Sequence, residues 1–273
     1  MFGTQVARAM FAALHGELVL HSWTDALGHL SQDAYSLFYA RSSAMGWLTP
    51  AMEPASGGVW GMNDAEAGPG SRPQLSRVAW FQVVLTEPGA AGRPLPVQAF
   101  LSCASDVVAR LGSLRLEAVQ VLLPAREAEG SSDAAPGLAV ARPLIAALNW
   151  FADCDPRLRA PARVTLDGGP DPSIRAAAPG ILEWAQAIEP NVFECDSFSL
   201  ADDDHLVLRP AVTDGRPETA HHRVTFRGTL AEWSLDALGW TAAFLADLSS
   251  RHGVSTPVRL TATRSDGPGS PAG

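Results

Sequence analysis

The chain has 273 residues, 47% hydrophobic and 18% charged, enough apolar content for a sizeable core in one large domain or two small ones. Its 20 basic residues are all arginine and stand against 29 acidic residues, for a net charge of -9. The absence of lysine excludes a Schiff-base lysine and a P-loop lysine, and an acidic chain without a basic run is a poor nucleic-acid binder.

Residues 4–14 are expected as a short helix, and 17–23 alternate as a strand. Residues 31–48 hold apolar side chains at helical spacing and are expected as a helix. Residues 53–74, rich in Gly, Pro, Ser and Asp, read as a linker in which only Val59 and Trp60 look ordered. Residues 77–85, 97–103 and 115–123 read as strands from their β-branched and aromatic content, with 105–113 open to a strand or a helical turn. Residues 125–137 are small and polar and mark the expected domain boundary. Beyond it, helices are expected over 141–152, 173–188 (kinked at Pro179) and 230–251. Strands are expected over 163–166, 192–200, 206–212, 222–227 and 258–263, and the last ten residues read as a frayed tail. The segments 23–46 and 233–253 are alike and raise the question of a duplicated unit.

One stretch carries a resemblance. In VLHSWTDALGHLSQDAYSLFYAR, residues 19–41, a strand ends in an acidic residue, a glycine-containing turn follows, and a helix begins with an early tyrosine. This is similar to the entry of the acyl-CoA thioesterase branch of the hotdog-fold superfamily (the 4-hydroxybenzoyl-CoA thioesterase type), D-x-x-G-H-x-N-N-x-x-Y. Asp25, Gly28, His29 and Tyr35 match it in register. Leu30 stands for the usual Val, and Ser31 and Gln32 replace the two Asn. The resemblance covers about residues 15–125. It implies a sheet wrapped round one central helix, an acyl thioester of CoA or a carrier protein as substrate, and no cofactor. It makes Asp25 the nucleophile or acid/base, with His29 beside it. Gly28, Leu30 and Ser31 would form the oxyanion and substrate site, and Tyr35 would lie against it. Physically, a helix start exposes backbone N–H groups and a positive dipole end, which stabilise a developing oxyanion. Asp25 in such a turn is equally an ordinary capping residue.

Other constellations point less far. His15, Glu17 and His21 share a strand face, but strand exposure accounts for them without a metal. Asp202, Asp203, Asp204 and His205 read as a solvated turn, and Asp167-Gly168-Gly169-Pro170-Asp171 as a turn signature. His221 and His222 read as loop residues before a strand. Cys103, Cys154 and Cys195 are too far apart in sequence for a zinc or redox motif and read as free thiols. No G-x-S-x-G elbow or nucleotide-binding glycine motif occurs. Trp23, Trp47 and Trp60 are candidates to line one acyl tunnel.

The expectation is therefore an α+β protein. Residues 1–125 form a hotdog unit, and 138–265 form a second α+β unit, a divergent hotdog in a double-hotdog arrangement. The expected activity is acyl-thioester hydrolysis or processing in bacterial lipid or polyketide metabolism. A catalytically silent acyl-binding or scaffold protein is the alternative, and a dehydratase or cyclase using His29 or His222 the third option. The expected partner is acyl-CoA or an acyl carrier protein, with no nucleic acid, no membrane, no metal, a cytoplasmic location and self-association into a homodimer left open.

Overall fold

The computed structural model describes residues 8–22, 33–50, 57–68, 76–87, 93–125, 142–188, 192–200 and 221–265. The order is β1 (Ala9–Leu20), α1 (Ala34–Ala44), β2 (Trp60–Ala67), β3 (Arg77–Leu85), α2 (Val97–Leu111), β4 (Gly112–Leu123), α3 (Arg142–Ala152), a 3-10 turn (Pro156–Leu158), β5 (Ala160–Asp167), α4 (Ser173–Ala187), β6 (Phe193–Ser199), β7 (Arg223–Leu230), α5 (Leu235–Arg251) and β8 (Val258–Arg264). All strand pairs are antiparallel, and the eight form one sheet in the order β2-β3-β1-β4-β8-β5-β7-β6.

That order divides into two equal parts. Each half contains a β-α-β-β-α-β run, preceded in the second half by α3 and the 3-10 turn, and within each the first strand lies between the third and the fourth. This is the arrangement of a split β-α-β, or ferredoxin-like, unit. The two units meet edge to edge, where β4 pairs with β8 from Ala118↔Thr263 to Leu123↔Val258. The helices pack on one another in a single layer, α1 on α2, α2 on α5, and α3 and α4 on α5. One apolar core joins both halves, from Met10, Phe81 and Val119 through Trp240 and Phe244 to Val164 and Phe226.

The helix seam is tight. A Cβ on Gly239 of α5 would stand 2.7 Å from the Gln98 Cα of α2, so glycine lets the two backbones touch. Beside it, the Gln98 Nε2 and Ser102 hydroxyl donate to Asp236 at 2.8 and 3.2 Å. Trp233 Nε1 donates to the Leu116 carbonyl and Trp240 Nε1 to the Leu144 carbonyl, each at 2.9 Å. These bonds satisfy indole donors that would otherwise be costly to bury.

The α+β class holds, and the arrangement within it differs from the expectation of one helix wrapped by a sheet. The first unit carries two helices, because residues 97–111 form α2 where a strand is expected over 97–103. Its buried positions, Val97, Phe100, Leu101, Ala104, Val107, Val108 and Leu111, recur at helical spacing. Residues 9–20, expected to begin as a helix, form β1, whose first eight residues are all buried. A strand covered on both faces loses its alternation, and an Ala- and Leu-rich one then reads as helix. The stretch expected as a linker contains β2, an edge strand. The expected 31–48 helix is shorter, starting at Ala34 behind an Asp33 cap. The paired segments 23–46 and 233–253 are not equivalent: by topology α5 matches α2, and α1 matches α4. Residues 126–137 and 206–212 lie outside the described residues.

Candidate functional site: a charged cluster at the end of β5

β5 sends Ala162, Val164 and Leu166 into the core, so Arg163, Thr165 and Asp167 take the helix-free face. Register then assembles three cross-strand rows on that face. Asp167 stands between Arg223 of β7 and Arg259 of β8. Thr165 stands between Thr225 and Thr261, with its hydroxyl 2.9 Å from that of Thr225. Arg163 stands between Arg227 and Thr263.

Asp167 closes the first row. It accepts from the Gly169 N–H at 2.8 Å through Oδ1, inside the turn that ends β5. Its Oδ2 lies 2.9 Å from His221 Nδ1, 3.2 Å from Arg223 Nε and 3.8 Å from Arg259 Nη1. The carboxylate side chain is only 9% exposed, so it is committed to these partners and not to water. Burial alone would raise its pKa. The Gly169 N–H, His221 and Arg223 outweigh burial and hold the carboxyl below its usual range. The carboxylate fixes the His221 ring through Nδ1 and leaves Nε2 as the ring's second polar atom. His221 and Arg223 retain part of their surface, and Arg227 is exposed. Two rows therefore gather four guanidinium groups against one carboxylate among the described residues. Weakly hydrated, planar guanidinium groups beside hydroxyls are suited to carboxylate or phosphate oxygens.

Below Asp167, the turn is fixed by Asp171, which accepts from the Ser173 N–H at 2.9 Å and from the Thr256 hydroxyl at 2.8 Å. Burial would raise the Asp171 pKa, and these two donors reverse that. The DGGPD segment is thus more than a turn signature, and His221 is more than a loop residue: both supply the cluster. Each looked like an isolated turn element because 54 residues separate Asp167 from His221, and only the β5–β7 pairing joins them.

The other candidates fall elsewhere. Asp25, Gly28, His29, Leu30 and Ser31 lie outside the described residues, as do Trp23 and Asp202 to His205. Tyr35 sits in the first turn of α1 and is 38% exposed. The Ser36 N–H donates to Asp33 at 2.8 Å, and this bond holds the Asp33 carboxyl below its usual pKa. The start of α1 therefore already carries a negative charge on one of its donors, a setting that opposes a developing oxyanion there. His15 is buried, Glu17 pairs with Arg115, and His21 lies against the Ala109 carbonyl; the described residues contain no group of three or more side chains placed to hold a metal. Trp47 and Trp60 pack together at 5.6 Å with Trp60 fully buried, which makes them core rather than tunnel.

A cleft of about 790 Å³ lies between the end of α3 and β6, lined in part by Cys154, Cys195, Arg159 and Glu194, the last two ion-paired. Burial pushes the Cys195 thiol up to about 12; burial together with the nearby Glu232 also raises Cys154. Neither is a ready thiolate at neutral pH. Among the described residues no helix is long and apolar enough to cross a membrane.

Comparison with protein-family models, with curated proteins and with solved structures returns no match for this chain.

Proposed function

We propose that this chain is a binding protein whose recognition surface is the helix-free face of its second half, and that the surface takes an anionic group. One observation carries the reading: a buried carboxylate holds His221, Arg223 and Arg259 in one row, and a parallel row adds Arg163 and Arg227 across a band of threonine hydroxyls. In a chain of net charge -9, arginines brought together on one sheet face, with Arg227 exposed and Arg223 part-exposed, make a surface complementary to negative charge. Phosphate and carboxylate share the chemistry. Titration with inorganic phosphate and, separately, with glutamate oligomers, followed by thermal shift, distinguishes the two. Stabilisation by either that is lost in Arg223→Gln/Arg227→Gln supports the reading. Equal stabilisation of the double variant contradicts it.

The thioester reading stands second. Its support is the motif itself, which falls between the end of β1 and the start of α1, the strand-to-helix crossing its chemistry needs. The hotdog likeness is carried by that motif alone. Free-thiol release from acyl-CoA and acyl-carrier substrates, compared between wild type and Asp25→Asn, tests it. Turnover that vanishes in a folded Asp25→Asn would displace the binding reading.

A further inference from the structure

His252 caps the end of α5, and its N–H donates to the Leu248 carbonyl at 3.0 Å. Its ring lies over Gly180 in the middle of α4. A Cβ at position 180 would stand 2.3 Å from the ring Cε1 and 2.8 Å from Nδ1, so the missing side chain is the seat for the imidazole. The ring's Nε2 is buried and makes no hydrogen bond among the described residues. Next to the seat, Pro179 lacks an N–H and removes one bond from the α4 ladder. Farther along α4, Gln186 Nε2 donates to the Cys195 carbonyl at 3.1 Å and reaches that of Asp196 at 3.5 Å. β6 is the outermost strand of the sheet, so α4 shields backbone acceptors of an edge.

We propose that His252 is an acid-operated latch: protonation of its ring unseats it from Gly180, loosens α4 from α5 and uncovers the β6 edge. The neutral ring fits the seat. A proton on Nε2 would place a positive charge and a new donor where none of the described residues accepts a hydrogen bond. Of the charged groups around it, Glu183 on α4 is the one whose field favours the proton; on α5, Arg251 is turned to Asp247 at 2.7 Å. Burial outweighs Glu183 and lowers the His252 pKa from 6.5. The sign follows. A histidine harder to protonate in the folded state contributes stability that is whole above the ordinary value and drains away as pH falls from there through the lowered one.

Hydrogen exchange of the full chain, corrected for the intrinsic pH dependence of exchange, tests the latch. Between about pH 7.5 and about pH 5, protection over 173–187 is expected to fall about tenfold while protection over 97–111 holds. His252→Phe keeps an apolar ring in the seat and is expected to remove the step, and His252→Gln serves the same purpose if Phe does not fold. Glu183→Gln is expected to move the midpoint to lower pH, an effect that a merely structural histidine would not produce. Gly180→Ala, which occupies the seat, is expected to leave α4 poorly protected at every pH. A step of equal size in both His252 variants, or a midpoint unmoved by Glu183→Gln, overturns the proposal.

Discussion

On its helix-free face the first half stacks Phe11 on Trp80 at 5.9 Å and ties the Trp80 indole to Glu66. In the second half the same face of the same sheet carries arginine, threonine and Asp167. The β-α-β-β-α-β run and the strand order are the same in both halves, α3 and the 3-10 turn being additions to the second, and α2 packs on α5 across them. Topology is thus set by what faces the core, Met10, Phe81 and Val119 in one half and Val164, Leu166 and Phe226 in the other. The residues on the opposite face are free to differ, and in the second half they are spent on charge.

Opening a cavity in the shared core is expected to have the largest effect. Trp240 is fully buried, stacks on Phe244 at 4.9 Å and donates to Leu144. Trp240→Ala is expected to cost about 3–5 kcal/mol in urea unfolding, and to lower both halves in one transition, because the core is shared. Two separated transitions in wild type would show that the halves fold independently.

Asp167→Asn removes the one carboxylate from a row of two arginines and a histidine. A loss of about 3 kcal/mol at neutral pH is expected, as for other buried pairs broken on one side. Because the Asp167 pKa is lowered, its stabilisation is full above the ordinary carboxylate range of 3.8 and disappears as pH falls below it. The wild-type advantage over Asp167→Asn is therefore expected to shrink in acid, as denaturant midpoints at graded pH would show.

Caps provide a finer contrast. Asp33 caps α1 through the Ser36 N–H and Ser234 caps α5 through the Ala237 N–H. Alanine at either is expected to cost about 1 kcal/mol, measured by chemical denaturation. Tyr35→Phe removes one hydroxyl from an exposed ring, and a change within about 0.5 kcal/mol is expected.

Two helices of the second half are legible in the sequence almost to the residue, whereas α2, with its β-branched and aromatic start, reads as a strand. α4 kept its 173 start despite Pro179, and α3 was placed within a residue. β1 was misread because its run from Ala9 to Gly16 is buried on both faces and holds no β-branched residue. β2 was missed because WGMNDAEA has little β propensity and borrows its order from β3. The charged cluster was invisible for a different reason. Its members sit on β5, β7, β8 and the residues before β7, and nothing local in the sequence announces that these strands are neighbours.

The most direct test of the anion-binding surface is to watch the Arg223 and Arg227 guanidinium Nε–H signals by NMR while inorganic phosphate is added. Saturable shifts are expected at both, with Arg41 and Arg115 of the first half unmoved. Shifts of equal size in both halves, or none at Arg223 and Arg227, would contradict it.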